Sequence, residues 1–319
     1  MSGQQNRLSE YETRDGLLRR VGIEVEFAGM TERDVAHLVA QTLGGTPNQT
    51  SDYEWEIEQT ALGRIEVLLD TALRDWSDSG AKRIGLDIGR AVIPVEYITE
   101  PLRPARFADL ERLNAALAGA GAIGTQNGIA LGFGVHLNVA LTGTNISDIL
   151  PVVQAFALIE DWLRSEMGID PARRILPFVN PYPADLVDAL ASPEADGWSI
   201  DDLLKVYLEH APSRNHALDL LPILKHLDED AVVDAVPEMA QKSARPAWHY
   251  RLPDCRIDDP DWSISLEWSR WCAVERVAAD HELLGSLREA WRDYRRHLHV
   301  PGGWASTSGD VIRSSGVFP

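Results

Sequence analysis

The chain has 319 residues, with 30 Lys and Arg against 49 Asp and Glu, a formal charge of −19, 45% hydrophobic residues and ten tryptophans. That apolar content excludes a mainly disordered chain, and the acidic balance excludes a general binder of nucleic acid or anionic membrane, which needs a basic face. Cys255 and Cys272 are too few for a disulfide framework, no run approaches the roughly 18 apolar residues of a membrane span, and residues 1–20 are polar with no signal-peptide core. The expectation is a soluble cytoplasmic protein, not bound to membrane or nucleic acid, in a reducing compartment.

Residues 1–19 read as a polar lead-in. Alternation at 21–27 predicts a strand, and Thr31-Glu32-Arg33-Asp34 resembles an N-cap opening a short helix closed by Gly44-Gly45. Residues 54–58 and 64–69 alternate around Ala61-Leu62-Gly63, a hairpin signal; 91–99 is a fourth strand, 107–118 a helix ended by Gly119, and 131–141 a fifth strand. The pattern then turns helical, from a segment capped by Ser147 and stopped by Gly168 through pieces at 184–191, 200–210 and 217–227. Strand-like alternation returns at 261–268, a helix is expected over 273–299, and 301–319 reads as a Gly/Ser-rich tail. This order predicts an α+β fold: one domain over 20–300 whose sheet is interrupted by a helical insertion at about 146–245 and completed late.

Residues i and i+2 of a strand share a face. The apolar set Val21, Ile23, Val25 and Phe27 therefore puts Glu24 and Glu26 together on the opposite face. In the fifth strand the opposite face reads Gly132, Gly134, His136, Asn138 and Ala140, small residues around one imidazole. Glu96 and Glu100 share a side of the fourth strand, and Glu267 alternates with Leu266 and Trp268. One sheet face would then gather Glu24, Glu26, Glu96, His136 and Glu267. The ordinary explanation for any one strand is an acidic solvent face; jointly, carboxylates with one imidazole suit hard cations such as Mg²⁺ or Mn²⁺.

Other motifs carry less. Gly119-Ala120-Gly121-Ala122-Ile123-Gly124 fits G-x-G-x-x-G but follows a helix and precedes a strand, the reverse of a dinucleotide fingerprint. None of the four lysines, Lys82, Lys205, Lys225 and Lys242, sits in a Walker A loop, so arginines would hold any nucleotide phosphates. His37, His210, His216, His226, His281, His297 and His299 fall in helical or tail segments and read as surface or capping residues. Arg251, Arg256 and Arg270 flank the Glu267 segment; their ordinary reading is surface ion pairing, their functional one planar recognition of phosphate oxygens.

Four motifs in order, Gly22-Ile23-Glu24-Val25-Glu26-Phe27, Pro94-Val95-Glu96-Tyr97-Ile98-Thr99-Glu100-Pro101-Leu102, Gly132-Phe133-Gly134-Val135-His136-Leu137-Asn138-Val139 and Glu267-Trp268-Ser269-Arg270-Trp271, resemble the amidoligase family of the carboxylate–amine ligase superfamily, with glutamine synthetase and γ-glutamylcysteine ligase. The resemblance spans about residues 20–280. It implies a glutamine-synthetase-like fold, a curved antiparallel sheet lined with metal-binding carboxylates. It further implies ATP-dependent amide formation through an acyl phosphate, on an amino acid, a peptide or a cell-wall-type carboxylate. Glu24, Glu26, Glu96, His136 and Glu267 would be ligands of Mg²⁺ or Mn²⁺. Arg251 and Arg256 would bind ATP, and with Arg270 would neutralise phosphate or the substrate carboxylate. A glutamine-hydrolysing partner is a further implication. Two departures are Glu100, where the family tends to have proline, and Glu58 or Gln59, where relatives show Asp followed by a small hydroxyl residue. The alternatives are a metal-dependent hydrolase using the same Glu/His face and a non-enzymatic acidic interaction protein.

Overall fold

The computed structural model describes residues 8–69, 94–125, 132–169, 179–297 and 303–316. The starts of two expected strands, at 91–93 and at 131, lie outside them. Among the described residues the chain mixes helices with one eight-stranded antiparallel sheet in the order β2-β3-β4-β5-β1-β6-β8-β7. The strands are β1 (Val21–Phe27), β2 (Thr46–Ser51), β3 (Glu54–Thr60), β4 (Gly63–Leu69), β5 (Val95–Thr99), β6 (Val135–Ala140), β7 (Leu218–Asp219) and β8 (Ala247–Tyr250).

Strand β1 lies near the middle because it is buried on its apolar face and pairs on both edges: Glu24 stands opposite Ile98 of β5 and His136 of β6, and Glu26 opposite Glu96. Val21, Ile23, Val25 and Phe27 are fully buried, as are Val95, Tyr97, Val135, Leu137 and Val139 from its neighbours. Helix α1 (Glu32–Leu43) packs against β2, β3 and β4 on this apolar side. Helix α2 (Phe107–Gly119) joins β5 through a 2.7 Å hydrogen bond from Tyr97 Oη to Asn114 Oδ1. Helix α3 (Ile146–Met167) and, further on, α8 (Ile264–Ala279) meet β8 through ring contacts of Phe156 and Trp271 with Tyr250. Helices therefore cover the apolar face, and the alternate residues of the central strands point the other way.

The expected N-cap of α1 is present: Thr31 accepts from the Asp34 amide. At Gly45, φ is +95° and an added Cβ would lie 2.4 Å from the Glu58 carbonyl, so only glycine makes this turn into β2. The cap of helix α3 lies two residues earlier than expected, at Asn145 and not Ser147, and Asp148 closes a capping box there. Helices α4 (Ala184–Ala191), α5 (Ile200–His210), α6 (Leu221–Leu227) and α7 (Glu229–Ala235) lie between α3 and β8 in the chain.

Several expectations are corrected. Residues 261–268 are not a strand: Ser263 caps α8 by accepting from the Leu266 amide at 3.1 Å, so Glu267 stands on a helix. Five alternating residues also fit the buried i, i+3, i+4 positions of a helix start, and Trp268, Trp271 and Cys272 bear out the helical period. The strand that extends the sheet late is β8, with the two-residue β7 beside it where a helix over 217–227 was expected. Polar, largely exposed β2 has no apolar alternation to betray it. The single helix expected over 273–299 divides at Asp280, which caps α9 (His281–Arg296) by accepting from the Leu283 amide. The expected tail holds α10 (Gly303–Ser315), whose Trp304 is buried and donates to the Leu158 carbonyl. His216 is not on a helix or the surface but buried in a bridge with Asn180. The lead-in is tied down by Arg19, whose buried guanidinium grips Glu275 of α8 through two bonds of 2.6 and 2.8 Å. No described helix is long and apolar enough to cross a membrane.

Candidate metal centre

The polar face of β5, β1, β6 and β8 carries the site. Because Glu24 pairs with His136 in register, their side chains are cross-strand neighbours, and the carboxylate reaches His136 Nδ1 at 2.7 Å. The other Glu24 oxygen accepts from Asn138 Nδ2 at 2.7 Å, and Arg245 stands 3.8 Å away. Glu26 accepts from the Gly134 amide at 2.8 Å and lies 3.6 Å from His136 Nε2. Thus the imidazole presents one nitrogen to each glutamate of β1.

Two donor sets result. Glu26, Glu96 and His136 offer ligand atoms within 4.8 Å of one another, and so do Glu24, His136 and His249. His249 comes from β8, directly across from Asn138, and its ring meets that of His136 edge-on at 5.3 Å. Its Nδ1 lies 3.2 Å from Asp219 of β7, a fully buried carboxylate that also accepts from Arg214 Nε at 3.2 Å and the Leu221 amide at 3.1 Å.

The electrostatics follow from these contacts. Burial pushes the Glu24 carboxyl up, but the hydrogen bond and charge of His136 outweigh it and hold the group well below the usual carboxylate range. Asp219 is likewise raised by burial yet ends lowered, through its bond to His249 and the charges of Arg214 and Arg251. Burial lowers His249, keeping the ring neutral, the form in which imidazole binds a cation.

Of the five residues expected as ligands, the structure brings four together: Glu24, Glu26, Glu96 and His136. Glu267 is elsewhere. Its carboxyl sits on α8, fully buried, accepting from Arg270 Nη1 at 2.6 Å and Trp262 Nε1 at 3.0 Å, and burial raises its pKa. Arg270 is thus engaged with Glu267, and Arg256 donates to the carbonyls of Met167 and Gly168 at the end of α3. Arg251 follows β8 two residues after His249, donates to the Arg214 carbonyl and helps hold Asp219 ionised. Glu100, half-exposed, takes the Arg64 amide at 3.3 Å and joins Arg64, Glu56 and Glu66 in an ion-pair cluster. Sequence reasoning missed His249 and Asp219. The alternation Trp248-His249-Tyr250 was the available signal, but β8 has four residues and β7 two, too short for periodicity to stand out.

The G-x-G-x-x-G run behaves as a connection: Ile123 bridges Ala28, and Gly124 donates to Asp258 while leaving no room for a Cβ against the Cys255 carbonyl. Both cysteines are buried, and neither is in a disulfide among the described residues.

A search of curated proteins finds no match to the chain, and neither does a search of solved structures. Residues 18–273, most of the chain, match the family model described as "Putative amidoligase enzyme", and the chain therefore belongs to the amidoligase family.

Proposed function

We propose that this chain is an ATP-dependent carboxylate–amine ligase on a glutamine-synthetase-like fold. The observation that carries the reading is the convergence of Glu24, Glu26, Glu96 and His136 from three adjacent strands onto one face, in a chain of the amidoligase family. The donor chemistry fits a hard divalent cation: Glu26, Glu96 and His136 would hold Mg²⁺ or Mn²⁺, which supplies charge neutralisation for the ATP phosphates. Without it, a face lined by carboxylates repels a polyphosphate.

The reaction on this reading has two steps. A substrate carboxylate attacks the γ-phosphorus of ATP, ADP leaves, and an acyl phosphate forms. An amine then attacks the acyl carbon, phosphate departs, and the amide is left. Arg251, close to Asp219 on the edge of this face, is the arginine best suited to phosphate or the acceptor carboxylate. Arg245, half-exposed beside Glu24, is a second cation in reach. Arg256 and Arg270 contribute by holding the end of α3 and Glu267 in place. The acceptor is an amino acid, a γ-glutamyl peptide or a cell-wall fragment, and a glutamine-hydrolysing partner would supply ammonia.

Hydroxylamine tests this, because a small strong nucleophile intercepts an acyl phosphate whatever the native amine. Protein with ATP, Mg²⁺ and a panel of these carboxylates is expected to yield hydroxamate with ADP and phosphate in matching amounts. Release of AMP and pyrophosphate would replace the acyl phosphate by an adenylate. Turnover without ATP would replace the ligase by a metal-dependent hydrolase.

A further inference from the structure

One hairpin, Tyr11 to Arg19, carries the large apolar side chains that stand exposed among the described residues: Tyr11 at 52%, Leu17 at 67% and Leu18 at 45%. Exposed apolar residues scattered singly over a surface are ordinary, whereas a cluster of them marks an interaction surface. In this hairpin Glu12 bridges Leu18, the Arg19 amide donates to the Tyr11 carbonyl at 2.9 Å, and Gly16, at φ +76°, lies in the turn.

The hairpin is firmly mounted. The Arg14 amide donates to the Thr142 carbonyl at 2.7 Å, and the Arg14 guanidinium lies 2.7 Å from buried Asp148. Arg19 donates to the Ala140 carbonyl at 2.8 Å in addition to its grip on Glu275. A loose segment could fold its leucines away from water. A mounted one holds them exposed, and loses little conformational entropy when a partner covers them.

Charge selects the partner. The chain as a whole carries −19, so most of its surface repels a second copy. From Leu8 to Arg20, however, the three acids Glu10, Glu12 and Asp15 stand against the three arginines Arg14, Arg19 and Arg20, a balance of zero. A basic partner would be drawn to the acidic surface elsewhere; a neutral apolar patch on an acidic protein is where two copies can meet. Arg14 is paired with Glu10 and Asp148, but Glu12, Asp15 and Arg20 have no ion pair among the described residues. Both signs are therefore present at the rim, as a two-fold interface needs, since each contact there occurs twice. We propose that the Tyr11–Arg19 hairpin is the apolar anchor of an interface between two copies of this chain, with Glu12, Asp15 and Arg20 at its rim. The inference is independent of the ligase reading.

Sedimentation equilibrium of the full chain, from about 1 to about 100 µM, tests it, with thermal midpoints measured over the same range. Wild-type protein is expected to reach twice the chain mass at the upper end, and its midpoint to rise with concentration. Leu17→Glu, and separately Tyr11→Ser with Leu18→Ser, should raise the dimer dissociation constant by about 100-fold or more, the scale of losing a central apolar anchor. Arg20→Glu should raise it by about 10-fold. These side chains are exposed, so circular dichroism should show each variant folded. Thr50→Glu, which adds the same charge on the exposed strand β2, should leave the dimer unchanged. Wild-type protein that keeps the chain mass throughout overturns the inference and leaves the hairpin to a partner of another kind. A dimer that survives Leu17→Glu in folded protein, or that Thr50→Glu disrupts equally, also overturns it. None of these outcomes bears on the ligase reaction.

Discussion

Glu26→Gln has two consequences of opposite sign. Its carboxylate and that of Glu96 can offer ligand atoms no more than 4.8 Å apart, and they face each other in register across β1 and β5. At that distance two like charges repel by about 3.5 kcal/mol at an effective dielectric of about 20, and by about 0.9 kcal/mol if fully water-screened. The partly exposed Glu26 side chain belongs nearer the lower figure, and a charged His136 ring 3.6 Å away would offset it, so at a pH where that ring is neutral the metal-free protein is expected to gain about 1 kcal/mol from the amide. The hydrogen bond from the Gly134 amide survives, because the glutamine oxygen still accepts it. Metal reverses the sign: an ion at about 100 times its Kd stabilises the folded state by about 2.7 kcal/mol, and a variant that has lost a ligand forgoes most of that. Thermal unfolding followed by circular dichroism should place the variant roughly 2 °C above the parent in EDTA and below it in saturating Mn²⁺. A variant that melts lower than the parent in EDTA, or that Mn²⁺ stabilises as fully as the parent, refutes the reasoning.

Arg19→Met leaves buried Glu275, among the described residues, with Trp271 Nε1 at 3.0 Å and Ser9 Oγ at 3.5 Å, so urea denaturation should show a loss of about 3–5 kcal/mol. Adding Glu275→Leu should recover much of it, and strictly additive losses would mean the pair is not coupled. Trp304→Ala should cost about 3–5 kcal/mol, because the indole is buried, bonded to the Leu158 carbonyl and packed edge-on against Trp291 at 5.0 Å. A midpoint shift near zero would show that α10 does not contribute to the folded core. Burial raises the Glu160 carboxyl above its ordinary 4.5, against the opposing pull of Arg164. The folded state therefore holds that proton longer than the unfolded state, and its contribution is fully present below the unfolded value and lost as pH rises through the folded one. Plotted against pH, wild-type stability should fall relative to Glu160→Gln from about 4.5 upward; a rise would reverse the assignment.

By itself the sequence determined the central strands, because β1, β5 and β6 are continuously apolar on one face only and the period of two is legible wherever the two faces differ in polarity. That alternation puts Glu24, Glu26, Glu96 and His136 on one polar face, and the caps of α1 at Thr31 and Gly44 are local chemistry. Tertiary structure alone decided three things. It decided that the Glu267 segment is a helix, since five alternating residues satisfy either period until their burial against β8 and α2 selects one. It decided that β8 and β7 extend the sheet, since strands of four and two residues gain their order from cross-strand hydrogen bonds with a distant segment. And it brought His249 and Asp219, 30 residues apart and more than 80 from His136 in sequence, into contact with the site. Strand register is a long-range property, set when backbone donors and acceptors of separate segments find one another, and no local pattern of side chains encodes which strand lies next to which.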